Sequence, residues 1–156
     1  LDINEEAAMK LASEISSELG VRSYGYMCNV LDRASLEKVR LQILNEVGEI
    51  DMLINGAGGN APTATTRLEQ ITEEDLDQLD QGFFGLELEG FQKVFDLNFT
   101  GTLLPSMVFT RDMVARQKGI VLNVSSMNAY KPLTKIPAYS AAKASVSPLC
   151  QSWCKS

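Results

Sequence analysis

The chain has 156 residues, 45% hydrophobic and 22% charged, enough for one ordinary globular domain. Its net charge of −6 argues against nucleic acid or an anionic membrane as partner. No apolar run approaches the roughly 20 residues of a membrane span and no leader pattern opens the chain, so no membrane partner is expected.

The chain has no histidine, which excludes Ser-His-Asp and Cys-His chemistry. Three cysteines, Cys28, Cys150 and Cys154, lack zinc-like spacing, although Cys150 and Cys154 could share a helix face. No metal is expected. Reduced thiols in a cytoplasmic protein are.

In chain order, Glu5 to Leu19 reads as an amphipathic helix, with Ala8, Leu11, Ala12, Ile15 and Leu19 at helical spacing and Gly20 closing it. Val21 to Cys28 reads as a short strand. Asp32 caps a second helix running to about Val47, with Leu36, Val39, Ile43 and Val47 on its apolar face. Asp51 to Asn55 is a compact strand that breaks into Gly56-Ala57-Gly58-Gly59. Residues Asn60 to Gly90 are polar and acidic, a loop with a short helix near Glu73 to Leu79. Glu89 to Gln117 is a long helix expected to kink near Pro105. Gly119 to Val124 is a buried strand, followed by a serine loop and a helix from Ala138 to Ser147, which Pro148 should bend.

Apolar strands alternating with helices indicate an α/β fold with a parallel sheet covered on both faces. Ligands in such folds sit beyond the carboxyl ends of the strands. Asn29-Val30, Asn55 to Gly59 and Ser125-Ser126 all fall at strand ends.

Just past the last of these, Tyr139 and Lys143 stand four apart on a helix, with Cβ atoms roughly 5–6 Å apart. An ammonium beside a phenol favours the phenolate, which suits proton exchange with a substrate oxygen near neutral pH. Ser126 lies thirteen residues upstream of Tyr139, where its hydroxyl could hold that oxygen. Hydroxyl, phenol and ammonium together suit carbonyl/alcohol interconversion. Tyr-x-x-x-Lys alone is more often an exposed structural pair.

The motifs LD at 1–2, NV at 29–30, NGAG at 55–58, DLNFTG around Asn98, and NVSS followed by YSAAK resemble the short-chain dehydrogenase/reductase family. The resemblance implies a Rossmann-type doubly wound parallel sheet. Tyr139 would be the general acid/base, Lys143 would assist it and bind nicotinamide ribose hydroxyls, and Ser126 would orient the carbonyl. Asn98 would hold a water in a relay to Lys143; without the resemblance it reads as a buried amide satisfied within a helix. Asn55, Gly56, Ala57 and Gly58 would pack against the cofactor, and Asn29 and Val30 would lie near its adenine. Gly56 departs from the family's second Asn, and Asn29 from its usual Asp. Asp2 would accept the adenosine ribose hydroxyls and repel a 2′-phosphate, favouring NAD over NADP; otherwise it is an aspartate opening a helix.

The resemblance also implies that the sheet is incomplete in this chain. The first strand with its Gly-rich loop and the C-terminal strands are expected outside it, and residues 1–156 form the central part of a single dehydrogenase domain. INGAGGN…ATT, the long acidic segment Thr63 to Gly90 and FDLNFTGTLLPSMVF are similar to the branch that interconverts D-mannonate and D-fructuronate with NAD. A sugar-acid substrate needs a cation: Lys131 and Lys135 lie on the loop between Ser126 and Tyr139, and Asn128 could bind hydroxyls. Both lysines read equally as solvated side chains. The alternatives are a polyol, gluconate-type or ketoacyl substrate, or an idle nucleotide-binding scaffold. A homo-dimer or homo-tetramer is the family's habit, and Leu103, Leu104, Met107 and Val108 suit an interface or an ordinary buried face.

Overall fold

A computed structural model describes residues 1–153, with side chains through Cys150; Cys154 lies outside the described residues. The helices are α1 (Glu5–Leu19), α2 (Arg33–Glu46), α3 (Leu88–Phe95), α4 (Gly101–Phe109), α5 (Arg111–Arg116) and α6 (Pro137–Trp153), and the strands are β1 (Met52–Asn55) and β2 (Ile120–Asn123). Among the described residues no helix is long and apolar enough to cross a membrane.

The chain divides into two compact units, residues 1–53 with 104–121, and residues 54–103 with 122–156. In the first, Asn4 caps α1 by accepting the Ala7 N–H, and Gly20 closes it at φ 65°. Asp32 caps α2 through the Ala34 N–H at 2.9 Å. Both caps satisfy amides that a helix start leaves without partners. The core gathers Cys28, Leu36, Val39, Val108 and Phe109, with Ile43, Leu53 and Leu104 against it. Val108 and Leu104 therefore serve a buried face, while Met107 is exposed. On α1 only Ala12 is buried; Leu11 and Leu19 face outward, so the expected apolar stripe is covered only in part.

The expected strand over Val21 to Cys28 is a single parallel bridge, Asp2 with Met27. A ladder needs successive partners, and Asp2 is followed almost at once by the Asn4 cap. β1 and β2 pair in parallel: Ile120 N–H donates to Asp51 O in the first unit and Val124 N–H to Asn55 O in the second, both at 3.0 Å. Expected burial on both faces is not met among the described residues, since Met52, Ile54, Ile120 and Leu122 are exposed.

The second unit begins where β1 ends. Residues 60–90 hold 3₁₀ helices at Pro62–Ala64, Glu73–Gln81 and Phe83–Gly85, the second lying where the short helix is expected. The long helix predicted from Glu89 breaks elsewhere than at Pro105. Pro105 sits inside α4, and the irregularity is a π-helical stretch, Asp96–Thr100, with a second interruption at Thr110. α6 runs through Pro148. Its Ala138 and Ala142 pack with Ala64 and Val94, with Ala61, Phe91, Phe95 and Tyr139 against them.

Candidate functional site

Four segments of the second unit build the site: the turn after β1, the π-helical stretch, the loop after β2, and the first turns of α6. Asn98 is fully buried in the π stretch. Its Nδ2 donates to Gly59 O at 2.7 Å and to Val94 O at 2.8 Å, and its Oδ1 accepts the Gly59 N–H at 3.2 Å. The amide therefore clamps the glycine turn, and only its bond to Val94 O satisfies it within the helix. Its main-chain carbonyl accepts the Thr102 hydroxyl at 2.9 Å. π stretches widen a helix by one residue and recur at functional sites.

Gly58 meets this clamp from the other side. A Cβ on Gly58 would lie 2.7 Å from Asn98 Oδ1 and 3.0 Å from Lys143 Nζ. Only a residue without Cβ lets the main chain pass this close.

Lys143 is 4% exposed, and its Nζ donates to Val124 O at 2.9 Å. That leaves two of the three ammonium N–H groups to be offered. No carboxylate pairs with it among the described residues, and burial pushes its pKa below the ordinary lysine value. Nζ lies 5.9 Å from the centre of the Tyr139 ring, so the i, i+4 spacing does bring phenol and ammonium onto one face. Tyr139 is half-buried against the alanine cluster.

Ser126 starts the turn Met127–Ala129, and its Oγ accepts the Asn128 N–H at 3.2 Å. That bond uses a lone pair and leaves the hydroxyl proton to be donated. Asn128 is itself buried, so it reaches Ser126 through its main chain. The neighbouring Ser125 Oγ is buried with no partner. Lys131 and Lys135 are exposed; Lys135 stands at φ 70° with its carbonyl accepting the Thr66 N–H at 2.9 Å.

Asn55 is buried, and its Nδ2 donates to Asn123 Oδ1 at 2.7 Å, while Asn123 Nδ2 donates to the Cys150 thiol. Asn123 was missed in the sequence, although an amide inside an apolar strand is a readable signal. Gly56 is exposed and Ala57 half-buried in the same turn.

Asp2, Asn29 and Val30 belong to the first unit. Asp2 Oδ1 accepts the Asn4 N–H at 2.8 Å, as an aspartate opening a helix does. Asn29 Oδ1 accepts the Leu31 N–H at 3.0 Å, and its own N–H donates to Ser35 Oγ. Cys28 is a free, buried thiol whose pKa burial pushes up, and Cys150 is also free.

The sequence profile of the short chain dehydrogenases matches residues 1–156. The chain belongs to the short chain dehydrogenase family. An uncharacterized oxidoreductase of Haemophilus influenzae is 49% identical over 147 residues, which cover 94% of this chain and 51% of that protein. The uncharacterized oxidoreductase UxuB of Bacillus subtilis is 43% identical over 146 residues, covering 94% and 51%. A crystal structure from Haemophilus influenzae, a candidate D-mannonate oxidoreductase with bound NAD, superposes with a TM-score of 0.88 at 48% identity, covering 95% of this chain and 52% of that one. This short chain dehydrogenase therefore spans about half the length of the relatives it matches. The α/β, parallel-sheet architecture is the Rossmann type of that family.

Proposed function

We propose that this short chain dehydrogenase is part of an NAD(H)-dependent oxidoreductase that interconverts a secondary alcohol and a ketone, with a sugar acid of the D-mannonate/D-fructuronate pair as substrate. One observation carries the reading. A buried ammonium without a carboxylate partner among the described residues, Lys143, is fixed by a carbonyl between a phenol and a glycine turn.

The turn suits a nicotinamide nucleotide, because Gly58 is exposed and two Lys143 N–H groups remain for ribose hydroxyls. The bound nucleotide supplies or accepts the hydride. In the reducing direction Tyr139 gives its phenolic proton to the carbonyl oxygen as the carbon takes up hydride; in oxidation it takes that proton back. Lys143 holds positive charge beside the phenol as the proton leaves. Ser126 donates its hydroxyl to the substrate oxygen. Asn98 keeps the Gly58–Gly59 turn in place, with a water relay through the same residue as its second task. Asp2 has one carboxylate oxygen not held by Asn4, available for ribose hydroxyls, and Asn29 with Val30 would border the adenine. The NAD-bound structure at 48% identity supports NAD over NADP.

The length of the relatives, of which the chain spans about half, supports a single Rossmann-type dehydrogenase domain longer than these residues. Free Cys28 and Cys150 suit a cytoplasmic setting, and family habit suits a homo-dimer or homo-tetramer.

NADH oxidation by the full-length protein with D-fructuronate, other keto sugar acids and simple ketones tests the reading. Turnover of simple ketones or ketoacyl substrates without keto sugar acids removes the substrate assignment. NADH binding without any turnover, unchanged in Tyr139→Phe, indicates a scaffold.

A further inference from the structure

A sugar acid brings a carboxylate, and the two lysines expected to receive it stand exposed on the loop before α6. A third cation, exposed like the lysines, lies in the long segment after the glycine turn. Arg67 borders two clefts, one of about 600 Å³ lined by Asn60, Ala61, Pro62, Thr65 and Thr66, the other of about 330 Å³. The smaller cleft also holds Asp80 and Glu87, which would repel an anion. Among the described residues the larger is lined by no acidic side chain, and Arg67 is the one charged residue lining it.

Ala61, which lines the larger cleft, packs against the buried cluster of Ala64, Val94, Ala138 and Ala142 that Tyr139 also packs against. The wall of this cleft is fixed. Asn60 Nδ2 donates to Thr65 Oγ1 at 2.8 Å, and that hydroxyl donates to Ala61 O at 2.9 Å. Gly90 packs α3 against the adjoining turn so closely that a Cβ would fall 2.5 Å from Thr63 Oγ1.

The Arg67 backbone is held on both sides. Its N–H donates to Gln81 O at 2.8 Å, and the preceding Thr66 N–H donates to Lys135 O. The nearest acid in sequence, Glu69, accepts the Thr134 hydroxyl at 2.9 Å. No ion pair holds the Arg67 guanidinium among the described residues. A guanidinium offers two parallel N–H groups matched to a carboxylate, which an ammonium does not.

We propose that Arg67, in the cleft formed with Asn60, Thr65 and Thr66, receives the substrate's carboxylate and sets the preference for sugar acids, with Lys135 only flanking it. This rests on the dehydrogenase reading above.

The test uses the full-length protein, its Arg67→Gln and Arg67→Lys variants, and Lys135→Ala. Two measurements separate the site from the reaction: KM for D-fructuronate against uncharged D-fructose, and calorimetric binding of D-gluconate in the presence of NADH. Arg67→Gln is expected to raise KM for the acid by about 10- to 100-fold and to weaken D-gluconate binding similarly, with D-fructose unaffected. Arg67→Lys should recover part of the loss, and Lys135→Ala should change little. If D-gluconate binding depends on Arg67 while D-fructuronate is not reduced, the site stands and the reaction falls. Equal losses for charged and uncharged ligands, D-gluconate binding unchanged in Arg67→Gln, or no D-gluconate binding by the parent protein would overturn the assignment.

Discussion

The side chain of Asn98 and the main chain of Gly59 are bonded twice, Nδ2 to the carbonyl at 2.7 Å and the amide N–H to Oδ1 at 3.2 Å. A third bond, to Val94 O, ties the same amide to its own helix. Asn98→Ala strands these partners in a buried place, so the variant should lose about 2–4 kcal/mol of stability. Urea denaturation of the full-length protein checks this. NADH affinity should fall with it, because the turn loses its clamp; an unchanged affinity would show that the turn stands without Asn98.

Gly58→Ala brings a methyl group against Asn98 Oδ1 and Lys143 Nζ. Nζ is the tip of a flexible chain and can retreat, whereas Asn98 is pinned. The expected stability loss is about 1–2 kcal/mol, within the usual range for overpacking. Turnover should drop well beyond that, because the retreating ammonium leaves Tyr139. Thermal melts and kcat measured on one preparation separate the two effects.

Lys143 carries a pH signature. Burial holds its pKa below the ordinary 10.5, so the unfolded chain binds the extra proton between the lowered value and 10.5. Stability contributed by this site therefore rises with pH across that window, and below it the full cost of burying the charge applies. Lys143→Met has no ammonium to titrate. Urea midpoints of both proteins at pH 7 and pH 10 should show the parent gaining on the variant as pH rises; parallel shifts would mean the ammonium is effectively solvated.

Tyr139→Phe removes the proposed proton donor without disturbing the alanine cluster that seats the ring. kcat should fall about 10²- to 10⁴-fold, the usual range for a lost general acid. NADH affinity, followed by fluorescence titration, should hold.

Away from the site, Arg40 and Asp112 form a two-pronged pair, Nε to Oδ2 at 2.9 Å and Nη2 to Oδ1 at 2.6 Å. With Arg40 only 14% exposed, the pair is sheltered from solvent. Arg40→Met should cost about 1–3 kcal/mol and leave kcat/KM untouched. A matching fall in kcat/KM would tie this pair to the site.

Features fixed by local chemistry are legible in the sequence. Asn55 and Asp32 fell where turn and cap chemistry put them, Gly20 closed its helix, and the Tyr139–Lys143 spacing survived because helical geometry alone sets it. What depended on distant partners could not be read. The segment ending at Cys28 has strand composition, yet pairing stops after one bridge at Met27. Pro105 looked like a break, but the irregularity lies upstream at Asp96–Thr100, where no residue type announces an extra residue per turn. Arg67 was one charge in an acidic, irregular stretch, and its significance comes from the acid-free cleft beside it.

The π-helical stretch has an implication for sequence change. Each residue added to or removed from a helix turns everything beyond it by about 100° about the axis. Deleting one residue from Asp96–Thr100 would restore a regular helix and, by local criteria, improve it. The same deletion would break the bond from the Thr102 hydroxyl to Asn98 O and carry the Asn98 amide off Gly59. A shortening that repairs the helix would thus dismantle the site, so substitutions at positions other than Asn98 should be tolerated in this segment where a length change is not.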